Sequence, residues 1–254
     1  MNLILLQPDL RAYETQHNLK AIESLVEKAS GRFSPSDIIL LPEHFSSDDS
    51  PQHYDDYVRM LAGKAGCVMV GGSHHRRLNG KRVNFGRAVD GKGNDLGTYT
   101  KLRPYFEEQN HVLPGDVFGE FEIGGKNILV LICADFWFSD LILRAVGLPD
   151  LVLVPSLSVS RKSSSDYSRS IWRHLAVTRA YEFGVFVGIS DWSENSSLPK
   201  YRACGVGGFA DPTSVDPASF FRPISTDGFS VYPLDFDALE AFRSDRRMRG
   251  FFWK

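Results

Sequence analysis

Cys133 stands at the end of an apolar run that turns into a polar and aromatic segment. The run, residues 127–132, is typical of a buried strand, and residues 138–147 have the pattern of a helix with Ser139 and Asp140 in its first turn. The cysteine is therefore expected on a strand-to-helix elbow. Backbone amides there converge where an oxyanion would form, and the helix start favours thiolate over thiol. This position suits a nucleophile, although burial as an inert structural residue is the commonest fate of a free cysteine.

Two charged residues also follow strand-like segments. Glu43 comes directly after the apolar segment 37–41 and Pro42, and proline ends the strand because it cannot donate to the ladder. Glu43 is therefore expected at the carboxyl end of a strand, where open α/β sheets bind their ligands. Lys101 lies near the end of the extended segment 99–103, before Pro104. Taken alone, each is more often a solvated charge, so only their convergence with Cys133 would indicate chemistry.

Alternating strands and helices must position these residues. Apolar patterns predict strands over 2–7, 37–41, 67–72, 150–155 and 185–189, and helices over 18–29, 55–65 and 167–182. Asn79-Gly80 and Asp90-Gly91 are two-residue turn signals that predict hairpins, so the sheet is expected to be mixed. Adjacent His74 and His75 would point to opposite faces of a strand, so one zinc ion could not easily use both, and we interpret them as ordinary strand-end residues.

Composition limits the classes of function. The chain has 254 residues, 43% of them hydrophobic, and a formal net charge of -2, which favours one domain over 1–254 and gives no sign of a nucleic-acid or membrane partner. Three cysteines without a CxxC pair argue against a disulfide framework or a structural zinc site and fit a reducing compartment. The apolar N-terminus is too short for a signal peptide. A cytoplasmic protein is expected.

Glu43, Lys101 and Cys133 occur in this order on an α/β chain, and here the sequence resembles the nitrilase superfamily of carbon-nitrogen hydrolases. The resemblance covers nearly the whole chain. Leu41-Pro42-Glu43 is similar to the family's Pro-Glu segment, and Tyr99-Thr100-Lys101 is similar to its Tyr-x-Lys segment. The stretch 133–138, Cys-Ala-Asp-Phe-Trp-Phe, is similar to its Cys-x-Asp-x-x-Phe segment.

The resemblance implies a four-layer α/β/β/α sandwich with two mixed sheets, assembled into homodimers or larger homo-oligomers. It implies a catalytic triad of Glu43, Lys101 and Cys133, with a second glutamate on the loop after the lysine. Glu108 matches that position best, and Glu107 is the alternative. The sequence departs from the family's usual residues at Ala134, at Arg103-Pro104 and at Ser139-Asp140, positions that line or brace a pocket.

The chemistry that the resemblance implies is hydrolysis of a small-molecule amide through a thioester on Cys133, with no metal or organic cofactor. Glu43 would move the protons, which works best with a raised pKa in an enclosed apolar pocket. Lys101 and the Ala134 backbone N–H would hold the oxyanion, and Glu108 would orient Lys101 or the substrate. Aromatic side chains expected to line the pocket, although equally suited to a core, are Tyr105, Phe106, Trp137 and Phe138.

Other functions remain open on the sequence. A Cys/His hydrolase would use His44, His111 or His174 as its base, and nothing in the sequence selects one of them. A non-catalytic relative would use the same pocket to bind an amide, amine or acyl metabolite. Within the family, N-carbamoyl amine hydrolysis, nitrile hydrolysis and acyl transfer to an amine are alternatives that the triad itself does not separate.

Overall fold

The computed structural model describes residues 1–29, 33–48 and 50–254, which fold around two mixed β-sheets. The strands are β1 (Asn2–Leu6), β2 (Ile38–Leu40), β3 (Val68–Val70), β4 (His74–Leu78), β5 (Lys81–Val89), β6 (Asp95–Thr100), β7 (Gly119–Ile123), β8 (Lys126–Val130), β9 (Leu151–Pro155), β10 (Val159–Ser160), β11 (Phe186–Ser190), β12 (Arg202–Ala203), β13 (Gly208–Ala210), β14 (Phe221–Pro223) and β15 (Phe229–Pro233). The helices are α1 (Thr15–Ala29), α2 (Pro51–Ala65), α3 (Asp140–Leu143), α4 (Asp166–Phe183) and α5 (Phe236–Met248). None of the helices in these ranges combines the length and apolarity needed to cross a membrane.

Each sheet has a parallel centre and antiparallel edges. In the first sheet β1, β2 and β3 are neighbours and run parallel. β15 pairs with the outer side of β1 and runs antiparallel to it. β5 then pairs with β3 and β4 along one side and with β6 along the other, always antiparallel. The second sheet has the order β14, β13, β11, β9, β8, β7, with β11, β9 and β8 parallel. β10 and β12 form a separate two-stranded ribbon.

Alternation along β1 shows how the layers stack. Leu3 and Leu5 belong to the core between the two sheets, whereas Ile4 and Leu6 belong to the core beneath α1 and α2, as the two-residue period of a strand requires. The sheets meet closely, because a Cβ on Gly188 of β11 would lie 2.5 Å from the Leu3 side chain. α4 covers the outer face of the second sheet. The predicted α/β/β/α sandwich with two mixed sheets is therefore confirmed.

Two local predictions differ from the structure. Asn79 and Gly80 both have positive φ and form the predicted two-residue hairpin turn, but the turn at Asp90 has five residues because its carboxylate accepts the N–H groups of Lys92 and Asn94. The helix predicted over 138–147 is only the four-residue α3, preceded by a 3-10 turn over Cys133–Trp137. Glu120 accepts the backbone N–H groups of Val146 and Gly147, so these groups do not extend the helix.

Candidate active site

Glu43, Lys101 and Cys133 follow strands of both sheets and meet at one edge of the sandwich. Glu43 comes after β2, and its backbone N–H donates to the Ser156 carbonyl after β9. Lys101 comes after β6, and its backbone N–H donates to the Asn84 carbonyl on β5 at 2.8 Å. Cys133 comes after β8. All three side chains are buried, so the structure brings the residues predicted from the sequence into one enclosed site.

The Lys101 ammonium joins two carboxylates. Its Nζ lies 2.7 Å from Glu43 Oε1 and 2.8 Å from Glu108 Oε2. Glu107, the alternative second glutamate, turns the other way and lies 3.3 Å from Lys200 Nζ at the surface. By position, Glu108 is the second glutamate of the site.

The charged groups of this network shift one another's pKa values. Burial alone would raise the pKa of Glu43, but Lys101 and, to a smaller extent, His44 outweigh it and hold that pKa below its ordinary value. The pKa of Glu108 is likewise lowered against burial by the histidines His44 and His75 and by Lys101. Burial alone would lower the pKa of Lys101, but the carboxylates raise it. The expectation of a raised glutamate pKa in an apolar pocket is wrong for Glu43, because an ammonium lies against it.

Asn84 is a member of this network that the sequence analysis missed. Its Nδ2 lies 2.8 Å from Glu43 Oε1 and 2.9 Å from Glu108 Oε1, and the side chain is fully buried. It sits on β5 opposite His75 on β4. A single amide therefore donates to both carboxylates and holds them on either side of Lys101.

Replacing Asn84 with leucine, which has a similar volume and no donor, is expected to weaken both the site and the fold. Two buried carboxylates lose a partner, so we expect the free energy of unfolding in urea to fall by about 2 kcal/mol. Misplacing Glu43 and Lys101 is expected to lower kcat/KM for any substrate by about 10- to 100-fold. The matched control is Asn195→Leu, at an exposed asparagine. Equal effects of the two substitutions would contradict a specific role for Asn84.

The backbone at Cys133 turns through a conformation that residues with a side chain rarely adopt. Its φ is +47°, so the elbow carries local strain of the kind that clusters at functional sites. Sγ lies 3.9 Å from the Leu157 carbonyl oxygen, while the Leu157 N–H donates to Glu43 Oε2 at 3.0 Å. Leu157 thus contacts both the sulfur and the carboxylate. Burial, and then the Glu43 charge, raise the pKa of the Cys133 thiol well above its ordinary value, so the resting group is a thiol and not the expected thiolate.

Asp135 ties the segment after Cys133 to the segment after Lys101. Its carboxylate accepts the backbone N–H groups of Leu102 at 3.1 Å and of Arg103 at 2.8 Å. The side chain is buried, and burial, only partly offset by these bonds, raises its pKa to about 6. The aspartate in the Cys-x-Asp pattern therefore braces the two segments against each other.

Two of the departures from the family pattern contact each other. The Arg103 guanidinium donates two hydrogen bonds to the Asp140 carboxylate, at 2.9 and 2.6 Å. The same guanidinium lies 4.1 Å from the centre of the Phe138 ring. The Arg103–Asp140 ion pair thus joins the segment after Lys101 to the segment after Cys133.

A cavity of about 220 Å³ opens onto the Cys133 sulfur. Four of the residues predicted to line the pocket do so: Ala134, Tyr105, Trp137 and Phe138. Phe106, also predicted to line the pocket, is not among the lining residues, because its ring packs against the Arg161 guanidinium, 3.7 Å from the ring centre. The walls that the sequence analysis missed are Leu157, Ser158, Val159 and Trp172.

Two histidines contact the carboxylates. His44 Nε2 lies 3.4 Å from Glu43 Oε1, and His75 Nε2 lies 3.0 Å from Glu108 Oε1. Burial lowers the pKa of His75 to about 4, so its imidazole is neutral at neutral pH. Interpreting His75 as an ordinary strand-end residue was wrong, because its strand runs past Glu108.

His74 behaves as the alternation along β4 predicts. It points away from His75 and stacks on Tyr54, with ring centres 4.0 Å apart, in the core beneath α2. Burial lowers its pKa to about 3. His74 is therefore a neutral core residue.

The three histidines considered as alternative bases lie in different places. His44 contacts Glu43, and His111 lines a neighbouring cavity with His44 and His75. His174 lies exposed on α4, where its Nδ1 bonds the Ser170 carbonyl of its own helix. Among the hydrogen bonds of the described residues, the Cys133 sulfur has the Leu157 carbonyl as its partner and no histidine.

Comparison with known families and structures finds one family and several similar folds. The model of the carbon-nitrogen hydrolase family matches residues 4–193. Comparison with curated proteins finds no match. Nit3 of Saccharomyces cerevisiae, a member of branch 10 of the nitrilase superfamily, is 20% identical over 96% of this chain and 93% of its own, with a TM-score of 0.77.

Two further solved structures are similar over almost the whole chain. An amidase from Nesterenkonia sp. is 22% identical over 98% of this chain and 96% of its own, with a TM-score of 0.71. A CN-hydrolase superfamily protein from Xanthomonas campestris, with an arsenic adduct in its active site, is 20% identical over 98% and 94%, with a TM-score of 0.76. At these identities the three structures show a shared fold and nothing more.

Proposed function

This chain belongs to the carbon-nitrogen hydrolase family, and from that premise we propose that it hydrolyses a small-molecule amide through a thioester formed on Cys133. One observation carries the proposal. A buried lysine holds two carboxylates beside a thiol that sits on a strained elbow at the end of a cavity. Glutamate, lysine and cysteine together supply a proton acceptor, a fixed positive charge and a nucleophile, which are the three functions that acyl transfer needs.

The first step starts from a neutral thiol and an ionised glutamate. The raised pKa of Cys133 and the lowered pKa of Glu43 support this resting state. As the sulfur attacks the carbonyl carbon, its proton passes to Glu43 and the carbonyl π electrons move to oxygen. Proton transfer in step with attack avoids a free thiolate in a buried site, where burial disfavours the charged form.

The oxyanion then needs donors that are already oriented. An ammonium has three N–H groups, and in the described contacts Lys101 directs two of them at Glu43 and Glu108, which leaves a third for the substrate oxygen. The Ala134 backbone N–H, next to the nucleophile, would be the second donor. Glu108 would act through Lys101 by fixing the direction of its ammonium.

Collapse of the tetrahedral intermediate breaks the C–N bond, and Glu43 returns its proton to the leaving amine. A water molecule then attacks the thioester while Glu43 takes its proton. The C–S bond breaks, Cys133 regains a proton, and the carboxylic acid leaves. One glutamate thus serves both half-reactions, and the balance needs only the substrate and water.

The cavity supports a small acyl group. Its volume of about 220 Å³ is below the usual range for drug-sized ligands, and most of its walls are apolar or aromatic. An acyl chain of a few carbon atoms would fill it, with the amide carbon at the sulfur.

The proposal is tested by ammonia release from a panel of small amides, ω-amido acids, N-carbamoyl amines and nitriles. Turnover of amides that is lost in Cys133→Ala supports it. Turnover of only carbamoyl amines or nitriles would show that the proposed substrate class is wrong and that the proposed catalytic site is right. Silence across the panel, together with a Cys133 that reacts with alkylating reagents no faster than an ordinary buried thiol, would favour a metabolite-binding relative.

Acrylamide is a suitable alkylating probe. In a variant of the Nesterenkonia sp. AN1 amidase, acrylamide added to the active-site cysteine by Michael addition. We propose that Cys133 reacts in the same way, because its cavity admits a small amide. The two other cysteines, Cys67 and Cys204, are buried in the structure and serve as internal controls in the same peptide map.

A Cys/His hydrolase remains the second candidate, because His44 lies against Glu43. The acid limb of the pH profile of kcat/KM distinguishes a glutamate base from a histidine base. A base must be deprotonated to work, and the pKa of Glu43 is held below its ordinary value, so with Glu43 as base we expect activity to persist into acid solution. Loss of activity already in mildly acidic solution would contradict Glu43 as the base. Initial rates across the acid range, with recovery after return to neutral pH as the control for unfolding, decide between them.

A further inference from the structure

His44, His75 and Glu108 form a second cluster that the proposed hydrolysis does not use as a unit. One donor atom from each lies within 4.8 Å of the other two, with His75 Nε2 at 3.0 Å and His44 Nε2 at 3.7 Å from Glu108 Oε1. The two imidazole rings meet edge to face, with their centres 4.3 Å apart. The residues come from the loop after β2, from β4 and from the 3-10 helix Phe106–Asn110, so three separate elements bring them together.

The donor set fits one class of ligand. Two imidazole nitrogens and one carboxylate oxygen bind zinc in sites that keep a fourth position open, whereas calcium and magnesium prefer oxygen alone. In a tetrahedral site with donors about 2.1 Å from zinc, neighbouring donors lie about 3.4 Å apart. The distances of 3.0 and 3.7 Å from Glu108 Oε1 lie close to that value, so small side-chain rotations would complete the coordination.

The surroundings also suit a cation. Two carboxylates lie at the cluster, because Glu108 is one of its donors and Glu43 Oε1 lies 3.4 Å from His44 Nε2. A cavity of about 320 Å³ opens beside the cluster, and its walls include His44, His75, His111 and one cationic side chain, Arg82. It gives a metal ion a route to the donors and room for a water molecule at the fourth position.

We propose that His44, His75 and Glu108 bind a divalent metal ion of the zinc class, and that binding inhibits the enzyme. The inhibition rests on the proposed function. The metal would take Glu108 Oε1 away from Asn84 and would set two positive charges beside Lys101, which disturbs the ammonium that orients the substrate oxygen. The site is thus a switch by which metal availability controls hydrolysis.

Zinc binding is measured by competition with a chromophoric chelator, using the Cys133→Ser protein to exclude binding of zinc by the Cys133 thiol. We expect one equivalent of zinc to bind, and His44→Gln and His75→Gln each to weaken it by roughly 100-fold or more, because the loss of a mere outer-shell partner of a ligand already costs about 10- to 100-fold. His174→Gln is the matched control, since His174 lies exposed on α4, and it should change nothing. Unchanged affinity in His75→Gln, or equal loss in His174→Gln, would overturn the proposal.

A second measurement needs no histidine substitution. Cobalt(II) added to the Cys133→Ser protein should give the intense visible absorption of a tetrahedral site, and its absence would contradict the geometry. The two proposals fail separately: zinc binding without hydrolysis of any panel substrate would remove the proposed function and leave the site. If the protein hydrolyses a panel substrate but binds no zinc at this cluster and is not inhibited by it, the proposed metal site is wrong and the proposed function stands.

Discussion

Replacing Cys133 with alanine is expected to lower hydrolysis of the best substrate by about 10⁴-fold or more, the order of loss that follows removal of a hydrolase nucleophile. The change removes one sulfur atom from a buried elbow and leaves the charged network of Glu43, Lys101 and Glu108 in place. The expected loss is therefore in kcat, while substrate binding in the aromatic cavity persists. Initial rates and equilibrium binding of the same substrate measure the two separately.

Cys204→Ala is the control for this prediction. Cys204 is also a buried free thiol, but it does not line the cavity next to Cys133. Its replacement should leave kcat within a small factor of the unchanged protein. Comparable activity in Cys133→Ala would mean that the thiol is structural.

Replacing Lys101 with methionine is expected to damage both stability and activity. The side chain is 2% exposed and separates two carboxylates, so its loss leaves Glu43 and Glu108 as uncompensated buried charges. Breaking a buried ion pair in this way costs about 3 to 5 kcal/mol of unfolding free energy. Activity should fall by roughly a hundredfold or more, because the oxyanion loses its charged donor. Urea unfolding and kcat measure the two effects.

A double variant separates these effects. In Lys101→Met/Glu108→Gln one of the two stranded carboxylates becomes a neutral amide, so part of the lost stability should return. Activity should not return, because the ammonium is still missing. Recovery of activity together with stability would show that Lys101 supports the fold without contacting the reacting atoms.

The positions of Glu43 and Lys101 could be predicted because the rules that end strands are local. β2 ends at Leu40, and Pro42, which cannot donate to the ladder, lies between the strand and Glu43. The extended segment of β6 ends at Thr100, directly before Lys101. These strand ends depend on a few neighbouring residues, so a single sequence contains them. The layer order was implied only by the resemblance to the family, and the structure confirms it, with Leu3 and Ile4 in two different cores.

His75 and Asn84 could not be assigned to the site in the same way. The two-residue turn at Asn79-Gly80 fixes the hairpin register and so pairs His75 with Asn84, and that signal was present in the sequence. Which face of the hairpin meets Glu108 depends on how β5 joins the sheet, a long-range contact. The short α3 was missed for a similar reason, because Glu120, on another strand, accepts backbone N–H groups that follow it.

The most direct test of the account is the mass of the intact protein during turnover. Acid quenching of a reaction with the best amide should trap a species heavier than the free enzyme by the acyl group, with the leaving amine absent. Peptide mapping should place the addition on Cys133 and find none in Cys133→Ala. Rapid turnover with no acylated enzyme at any time, or with the acyl group on another residue, would contradict the thioester mechanism.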